Sequence, residues 1–350
     1  MKKTLLSILP LAFLVLTSCN GTKKSGTAVA TEATPVTVEN YALAETQVIF
    51  KHYADDIAAE THSKGTGYFL HNRDASNPKD TTVMRVNFDT RYSFALLDLT
   101  KEATLVMPET NGRYQSAWFI TEEHYNPMAI VKPGTYTINQ ENMGNRYVMV
   151  VVRTQVNMKD EADMKAVTEL QDKIQLIQAE KGEYVPSHTW KMDEILSMRE
   201  KYQQLVEEKH MSIDIMFGKK GEVTEEAHNC GVAYGWGGLT KDQAIYLTYL
   251  PEDVSPATLT LKDVPVADNA FWSITVYDKN GFPKGEPFNI NSSFVKKNAD
   301  GSATIHFGGD KTAENYMHIY EGWGFVLRMY LPQQAYFDGT WKQPELVNVK

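Results

Sequence analysis

Met84-Arg85-Val86-Asn87-Phe88-Asp89-Thr90-Arg91-Tyr92-Ser93-Phe94-Ala95-Leu96-Leu97-Asp98-Leu99 is the stretch on which the fold turns. Val86, Phe88, Tyr92 and Phe94 supply the aromatic and β-branched bulk of a strand. Within that apolar frame stand an amide, Asn87, a carboxylate, Asp89, a guanidinium, Arg91, and a phenol, Tyr92. Polar groups crowded among apolar ones form either a fully satisfied network or the wall of a site.

The same β pattern extends outward on both sides. Tyr68–His71, Thr82–Phe88 and Tyr92–Asp98 read as short strands, and Ala103–Met107 alternates. Asn111-Gly112 predicts a hairpin joining Leu105–Met107 to Tyr114–Ile120. Thr135–Ile138 follows Pro133-Gly134. Asn145–Arg153 is apolar on both faces and should be a central strand. Helical spacing brackets this block. Tyr41, Ala44, Val48, His52 and Ile57 predict an amphipathic helix over 41–60. Met164, Val167, Leu170, Ile174 and Ile177 predict a second over 159–181, and Ile195, Met198, Tyr202 and Leu205 a third over 192–210. Gly231–Gly238 is glycine-dense without the lysine of a phosphate loop, so close backbone approach around Trp236 is expected. Strand patterns return at Ala244–Leu250, Thr258–Val264, Phe271–Tyr277, Ala303–Phe307 and Trp323–Leu331. Many short strands with regular turns mean sandwiches.

The beginning of the chain predicts an address. Lys2 and Lys3, an apolar run over Leu5–Leu16, and Leu16-Thr17-Ser18-Cys19 read as a lipoprotein signal whose Cys19 becomes the lipidated N-terminus. Asn20 follows Cys19, and the expected location is the outer membrane of a bacterial envelope, facing the periplasm. Residues 20–40 are small and polar, a flexible tether reaching about 25 Å. The expected organisation is therefore signal 1–19, tether 20–40, helix and β-sandwich 41–158, helical insert 159–228 and a second sandwich 229–350.

The net charge of −9 becomes −11, 33 basic against 44 acidic residues, once Lys2 and Lys3 leave. That sign gives no footprint for nucleic acid. Cys230 is the only cysteine besides Cys19, so no disulfide within the mature chain is expected.

Two sets of motifs then resemble known families. Asn87-Phe88-Asp89-Thr90-Arg91-Tyr92-Ser93, Leu97-Asp98-Leu99 and Gly112-Arg113-Tyr114 resemble the domain of unknown function called "twelve fifty-four". Gly235-Trp236-Gly237-Gly238, Phe271–Asp278, Ala299–Ser302, Gly322-Trp323, Leu327–Tyr330 and Asp338–Trp341 are similar to its C-terminal companion, "twelve fourteen". The resemblance implies a mainly β chain: an immunoglobulin-like β-sandwich, a helical insert and a C-terminal jelly roll. It implies no activity. Arg91 stands where the family usually has Leu, and Phe288-Asn289-Ile290-Asn291 where it usually has Asn-Arg-Tyr.

No nucleophile elbow and no His-Glu-x-x-His helix is present. His228 and Cys230 would share one face of a strand. As a pair they are too few for zinc, and a buried inert thiol is the plainer reading. Neither metal nor other cofactor is expected. The candidate ligand-binding residues are Asn87, Asp89, Arg91, Tyr92 and Arg113, with Trp236, Trp272 and Trp323 as a stacking wall. They suit a small polar or carbohydrate-like ligand in a cleft between two β-domains. Two other readings stay open: a hydrolase using Asp89 with nearby arginines, and homo-oligomeric assembly through the helical insert.

Overall fold

The computed structural model describes residues 33–80 and 85–349. The signal segment, Cys19, residues 20–32 of the expected tether, and Met84 lie outside the described residues. In chain order come α1 (Tyr41–Thr61), β1 (Leu70–His71), β2 (Thr90–Asp98), β3 (Ala103–Met107), β4 (Gln115–Thr121), β5 (Ala129–Ile130) and β6 (Gly134–Ile138). Next are α2 (Gln140–Met143), β7 (Tyr147–Gln155), α3 (Glu161–Asp172), β8 (Gln175–Gln178), α4 (Met192–Lys209) and α5 (Glu225–Gly235). The last part holds β9 (Ala244–Tyr249), β10 (Ala257–Leu261), β11 (Trp272–Tyr277), β12 (Asn289–Asn291), β13 (Ala303–Phe307), β14 (Tyr316–Met317), β15 (Gly324–Tyr330), α6 (Gln334–Phe337) and β16 (Val347–Asn348).

Four sheets result, mostly antiparallel, and the chain is mainly β. The N-terminal unit stacks a five-stranded sheet, β1-β2-β7-β4-β5, on a three-stranded one, β6-β3-β8. Leu97, Ala117, Phe119, Val148, Val150 and Val152 fill the space between them with Leu105 and Ile138. The opposite face of the five-stranded sheet is covered too. Leu96, Trp118, Ile120, Met149 and Val151 pack under Phe50, Ala54 and Ile57 of α1 and under Phe271 and Tyr330 of the second unit. β7 is thus buried along its whole length, as a strand apolar on both faces requires. The C-terminal unit pairs two four-stranded sheets, β14-β13-β10-β16 and β12-β11-β15-β9, around Leu259, Ile274, Phe307, Phe325 and Leu327.

The sequence expectations need five corrections here. The Thr82–Phe88 strand is absent over its described part: Arg85 takes a left-handed φ of 53°, which breaks an extended run. Asn111-Gly112 does turn, with positive φ at both residues, but joins no hairpin. β3 pairs with β6 and β8, and β4 with β7 and β5, so the turn carries the chain from one sheet to the other. The helix expected over 159–181 stops at Asp172. Gln175-Leu176-Ile177-Gln178 instead forms β8 on the edge of β3, where Gln178 Nε2 donates to the carbonyls of Asp98 and Lys101.

Residues 34–38, placed in the tether by composition, are docked. Thr34 exchanges backbone bonds with Thr189 and Lys191, Val36 N–H donates to Glu194 (2.7 Å), and Asn229 donates to the Val38 carbonyl (2.9 Å). Lastly, most of the glycine-dense run, placed at the start of the second sandwich, is helix α5, capped by Thr224.

α1, α4 and α5 form one helical cluster. Tyr41 stacks on Tyr202 at 5.3 Å, and buried Glu45 pairs with Arg199 at 2.5 Å. Close approach explains the glycines, though against Phe217 rather than Trp236. A Cβ on Gly238 would lie 2.3 Å from the buried Phe217 ring. Gly238→Ala is therefore expected to lower stability by about 1–3 kcal/mol, read as a lower urea midpoint at unchanged slope. An unchanged midpoint would mean that Phe217 has room to retreat.

Candidate functional site

β2 begins at Thr90, so alternation along it sends Arg91 and Tyr92 to opposite faces of the sheet, while Asp89 lies in a bend before the strand. This divides the polar cluster. Arg91 points to α3, where its Nη1 donates to the Met164 carbonyl and the Thr168 hydroxyl, both at 2.8 Å. Arg113 also serves α3, pairing with the Asp163 carboxylate and donating to the Gln155 carbonyl (2.8 Å). The two arginines therefore hold a helix; neither is presented to a ligand beside Asp89.

Asp89 faces the second unit and is fully buried. Its carboxylate accepts from Asn291 Nδ2 (2.9 Å) and Asn289 Nδ2 (3.2 Å), both on β12. Burial pushes its pKa up, while the Asn291 and Ser273 side chains, the Arg328 charge and the Asn289 amide pull the other way. Asn87 turns back so that its Oδ1 accepts from Asp89 N–H (2.8 Å), and its Nδ2 donates to the Tyr330 hydroxyl (2.8 Å). The irregular backbone before β2 has the same use. Arg328 Nη2 donates to the Arg85 carbonyl (3.0 Å) and to Tyr277 Oη (2.8 Å), and Tyr277 donates to the Val86 carbonyl (2.7 Å). This seam between the units is built from the outer face of β12-β11-β15-β9: Asn289, Asn291, Ser273, Thr275, Tyr277, Arg328 and Tyr330. Their alternate neighbours, Trp272, Ile274, Ile290 and Leu327, fill the sandwich core.

Beyond Asp89 the seam continues to Arg153 at the end of β7. Arg153 is 8% exposed. One nitrogen, Nη2, donates to the Gly237 carbonyl (3.2 Å), while Nη1 is buried with no partner. Its guanidinium lies 5.4 Å from the centroid of the Tyr92 ring. Tyr114, Tyr330 and Phe271 pack together nearby, their ring centroids 4.4–5.5 Å apart. Tyr246, from β9, lies where the charges of both Arg153 and Arg328 reach it, and its hydroxyl has no hydrogen-bond partner among the described residues. Tyr92 and Tyr246 are only half-buried.

Asn87, Asp89 and Tyr92 are thus brought together, and Arg91 and Arg113 are not. The expected tryptophan wall does not form. Trp272 and Trp323 are buried in the C-terminal core, and Trp323 Nε1 donates to the Asp253 carbonyl (2.8 Å). Trp236 caps α5 and bonds Thr46 of α1 (3.2 Å). Trp272 and Trp323 thus share the C-terminal core, while Trp236 packs against α1 and the helical cluster, because each sits on an element with its own apolar neighbour. His228 and Cys230 do not share a face either: they lie two apart on a helix, roughly 200° around it. Burial pushes the Cys230 thiol up to about 11, far from a thiolate at neutral pH. Among the described residues no group of three or more His, Cys, Asp or Glu is placed to hold a metal.

The residues that sequence reasoning missed are Arg153, Tyr246, Asn289, Asn291, Arg328 and Tyr330. One signal was present for Arg153: a guanidinium closing a strand that is otherwise almost wholly apolar.

The chain carries the paired domains that its motifs resemble. Residues 66–178 match the family described as protein of unknown function (DUF1254), and residues 256–334 match protein of unknown function (DUF1214). The crystal structure of the VPA0106 protein from Vibrio parahaemolyticus shares the fold. Its TM-score is 0.65 at 16% identity, covering 89% of this chain and 98% of that one. An uncharacterised protein from Burkholderia cenocepacia aligns with a TM-score of 0.46 at 10% identity, over 89% and 87% of the two chains. No curated protein matches the sequence. Among the described residues no helix is long and apolar enough to cross a membrane.

Proposed function

We propose that this protein is a binding module, tethered to a bacterial envelope membrane through a lipidated Cys19, that takes a small polar ligand in the seam between its two β-units. The observation that carries this reading is the unfilled bonding capacity there. Arg153 Nη1 and the Tyr246 hydroxyl lack partners among the described residues, and half-buried Tyr92 and Tyr246 lie beside the guanidinium. Buried polar groups are ordinarily satisfied, because leaving one unpaired costs about 1–3 kcal/mol. Bonds left open at a domain junction suit a visiting molecule. The orientation towards the periplasm rests on the leader alone.

The seam favours hydrogen-bonded recognition over sugar stacking, since Trp272 and Trp323 face the C-terminal core and Trp236 is held against α1. It also leaves Asp89 without an acid–base role, because both its oxygens are engaged by amides and it is sealed from solvent. The test is thermal unfolding across a panel of small neutral and charged metabolites, with native mass spectrometry of gently purified protein. A ligand at 100 times its Kd should add about 2.7 kcal/mol of stability. Tyr246→Phe, which removes one open hydroxyl, should cut that gain without lowering ligand-free stability. A protein that carries no small molecule and is stabilised by none of the panel would overturn the reading.

A further inference from the structure

Resting on the seam as the binding site, the charge balance narrows the ligand: we infer that it is a small oxyanion, a carboxylate or a phosphate, received by the Arg153 guanidinium. Four other arginines each sit against a carboxylate: Arg73 with Asp172, Arg113 with Asp163, Arg146 with Asp98, and Arg199 with Glu45. Arg153 and Arg328 have no such partner among the described residues, although both are more buried than any of those four; buried Arg91 has none in contact either, but the charges of Asp74 and Asp163 reach it. The nearest acid in the seam is Asp89, whose bonds go to amides and whose charge reaches Arg328 only at longer range. Ionised Asp89 leaves the seam at +1; protonated Asp89 leaves it at +2. Either way a positive charge stands buried without an opposite one. An isolated buried ion costs several kcal/mol, so it persists where something else compensates it.

The surrounding chemistry fits an anion. Phenol and amide groups dominate the seam. Tyr246 and Tyr330 each keep an O–H with no acceptor among the described residues; Tyr330 receives its bond from Asn87. Arg328 is occupied by Thr275, Tyr277 and the Arg85 carbonyl, and supplies field rather than contact. Arg153 has the free nitrogen. A planar fork beside hydroxyl donors is the arrangement that binds carboxylate or phosphate with two parallel bonds.

The experiment compares matched probes on the full mature chain: acetate and benzoate, their neutral amides acetamide and benzamide, and inorganic phosphate, with sodium chloride as the ionic-strength control. Wild type, Arg153→Lys and Arg153→Met are unfolded thermally with and without each. The inference expects an oxyanion to raise the wild-type Tm while the amides and chloride do not. Arg153→Lys should bind at least about tenfold more weakly, because it keeps the charge and loses the fork. Arg153→Met should not respond, and its ligand-free Tm should equal or exceed wild type, since it removes an uncompensated charge. Whether carboxylate or phosphate acts identifies the source of the oxyanion. If amides stabilise as well as their carboxylates, the inference falls and the seam remains a binding site for neutral molecules. If oxyanions leave wild type unmoved, the inference falls whatever the variants do. A lower ligand-free Tm for Arg153→Met marks a structural arginine and overturns it as well. The seam itself is refuted only if the neutral panel is also silent.

Discussion

Asp89→Ala is expected to remove about 3–5 kcal/mol of stability, the cost of breaking a buried charged network from one side. The truncation strands Asn289 Nδ2 and Asn291 Nδ2 in a site that water does not reach, and leaves the Arg328 charge with less to answer it. These amides lie 200 and 202 residues away in the sequence, so the loss falls on the union of the two units. Asp89→Asn should cost less, about 1–2 kcal/mol, because it keeps an acceptor for one amide and lacks a charge that burial already disfavours. Urea unfolding followed by both tryptophan fluorescence and circular dichroism measures both variants. In Asp89→Ala the two probes should separate if the units come apart before they unfold. An Ala variant within about 1 kcal/mol of wild type would mean that the seam is not held together there.

The second large effect is acid sensitivity. His124 is fully buried, and its Nε2 accepts from Gly237 N–H (2.9 Å), so the neutral tautomer carries its proton on an unpartnered Nδ1. His228, 5.7 Å away, donates from Nε2 to the Glu123 carbonyl (2.9 Å) and stacks on Tyr125. Burial holds both pKa values below the ordinary 6.5, and the neighbouring His228 ring further disfavours charge on His124. The unfolded chain therefore binds more protons than the folded one below pH 6.5. Stability is full above that value and is lost as pH falls through it, by about 1.4 kcal/mol per pH unit for each histidine. Unfolding free energies measured between about pH 7 and pH 5 should fall accordingly, and His228→Gln should remove about one histidine's share of the slope. Subtracting variant from wild type cancels Glu45 and Glu122, whose burial-raised values act in the opposite direction. Identical slopes in wild type and variant would refute the assignment.

Much of the fold was legible because the signals were local. The doubly apolar run at β7, the helical stripes of α1 and α4, and the strands at β3 and β13 are fixed by spacing within a few residues. Failures came where a distant partner decided. Ile174 and Ile177 fit a helical stripe, yet the open edge of β3 drew residues 175–178 into a strand. The Asn111-Gly112 turn was correctly placed, but which sheet each flank joins depends on strands further along the chain. The site was half legible. Asn87, Asp89 and Tyr92 stand together in the run over 84–99, whereas their counterparts Arg153, Tyr246, Asn289, Arg328 and Tyr330 are scattered over the rest of the chain. Pairing Asp89 with Arg91 failed because the backbone before Thr90 is irregular: in a continuous strand the two would share a face, but Asp89 sits in a bend that turns it to the second unit while Arg91 is turned to α3.

The five-stranded sheet, clad on both sides, has a consequence for dissection. One of its covers comes from the second sandwich, whose own outer face carries amides, phenols and a guanidinium shaped to meet residues 85–92. A cut near residue 240 would strip Leu96, Trp118 and Met149 of their roof and set Arg328 in open water. Halves expressed separately should precipitate or refuse to fold, while co-expressed halves should find each other. The two domains are therefore expected to fold as one body.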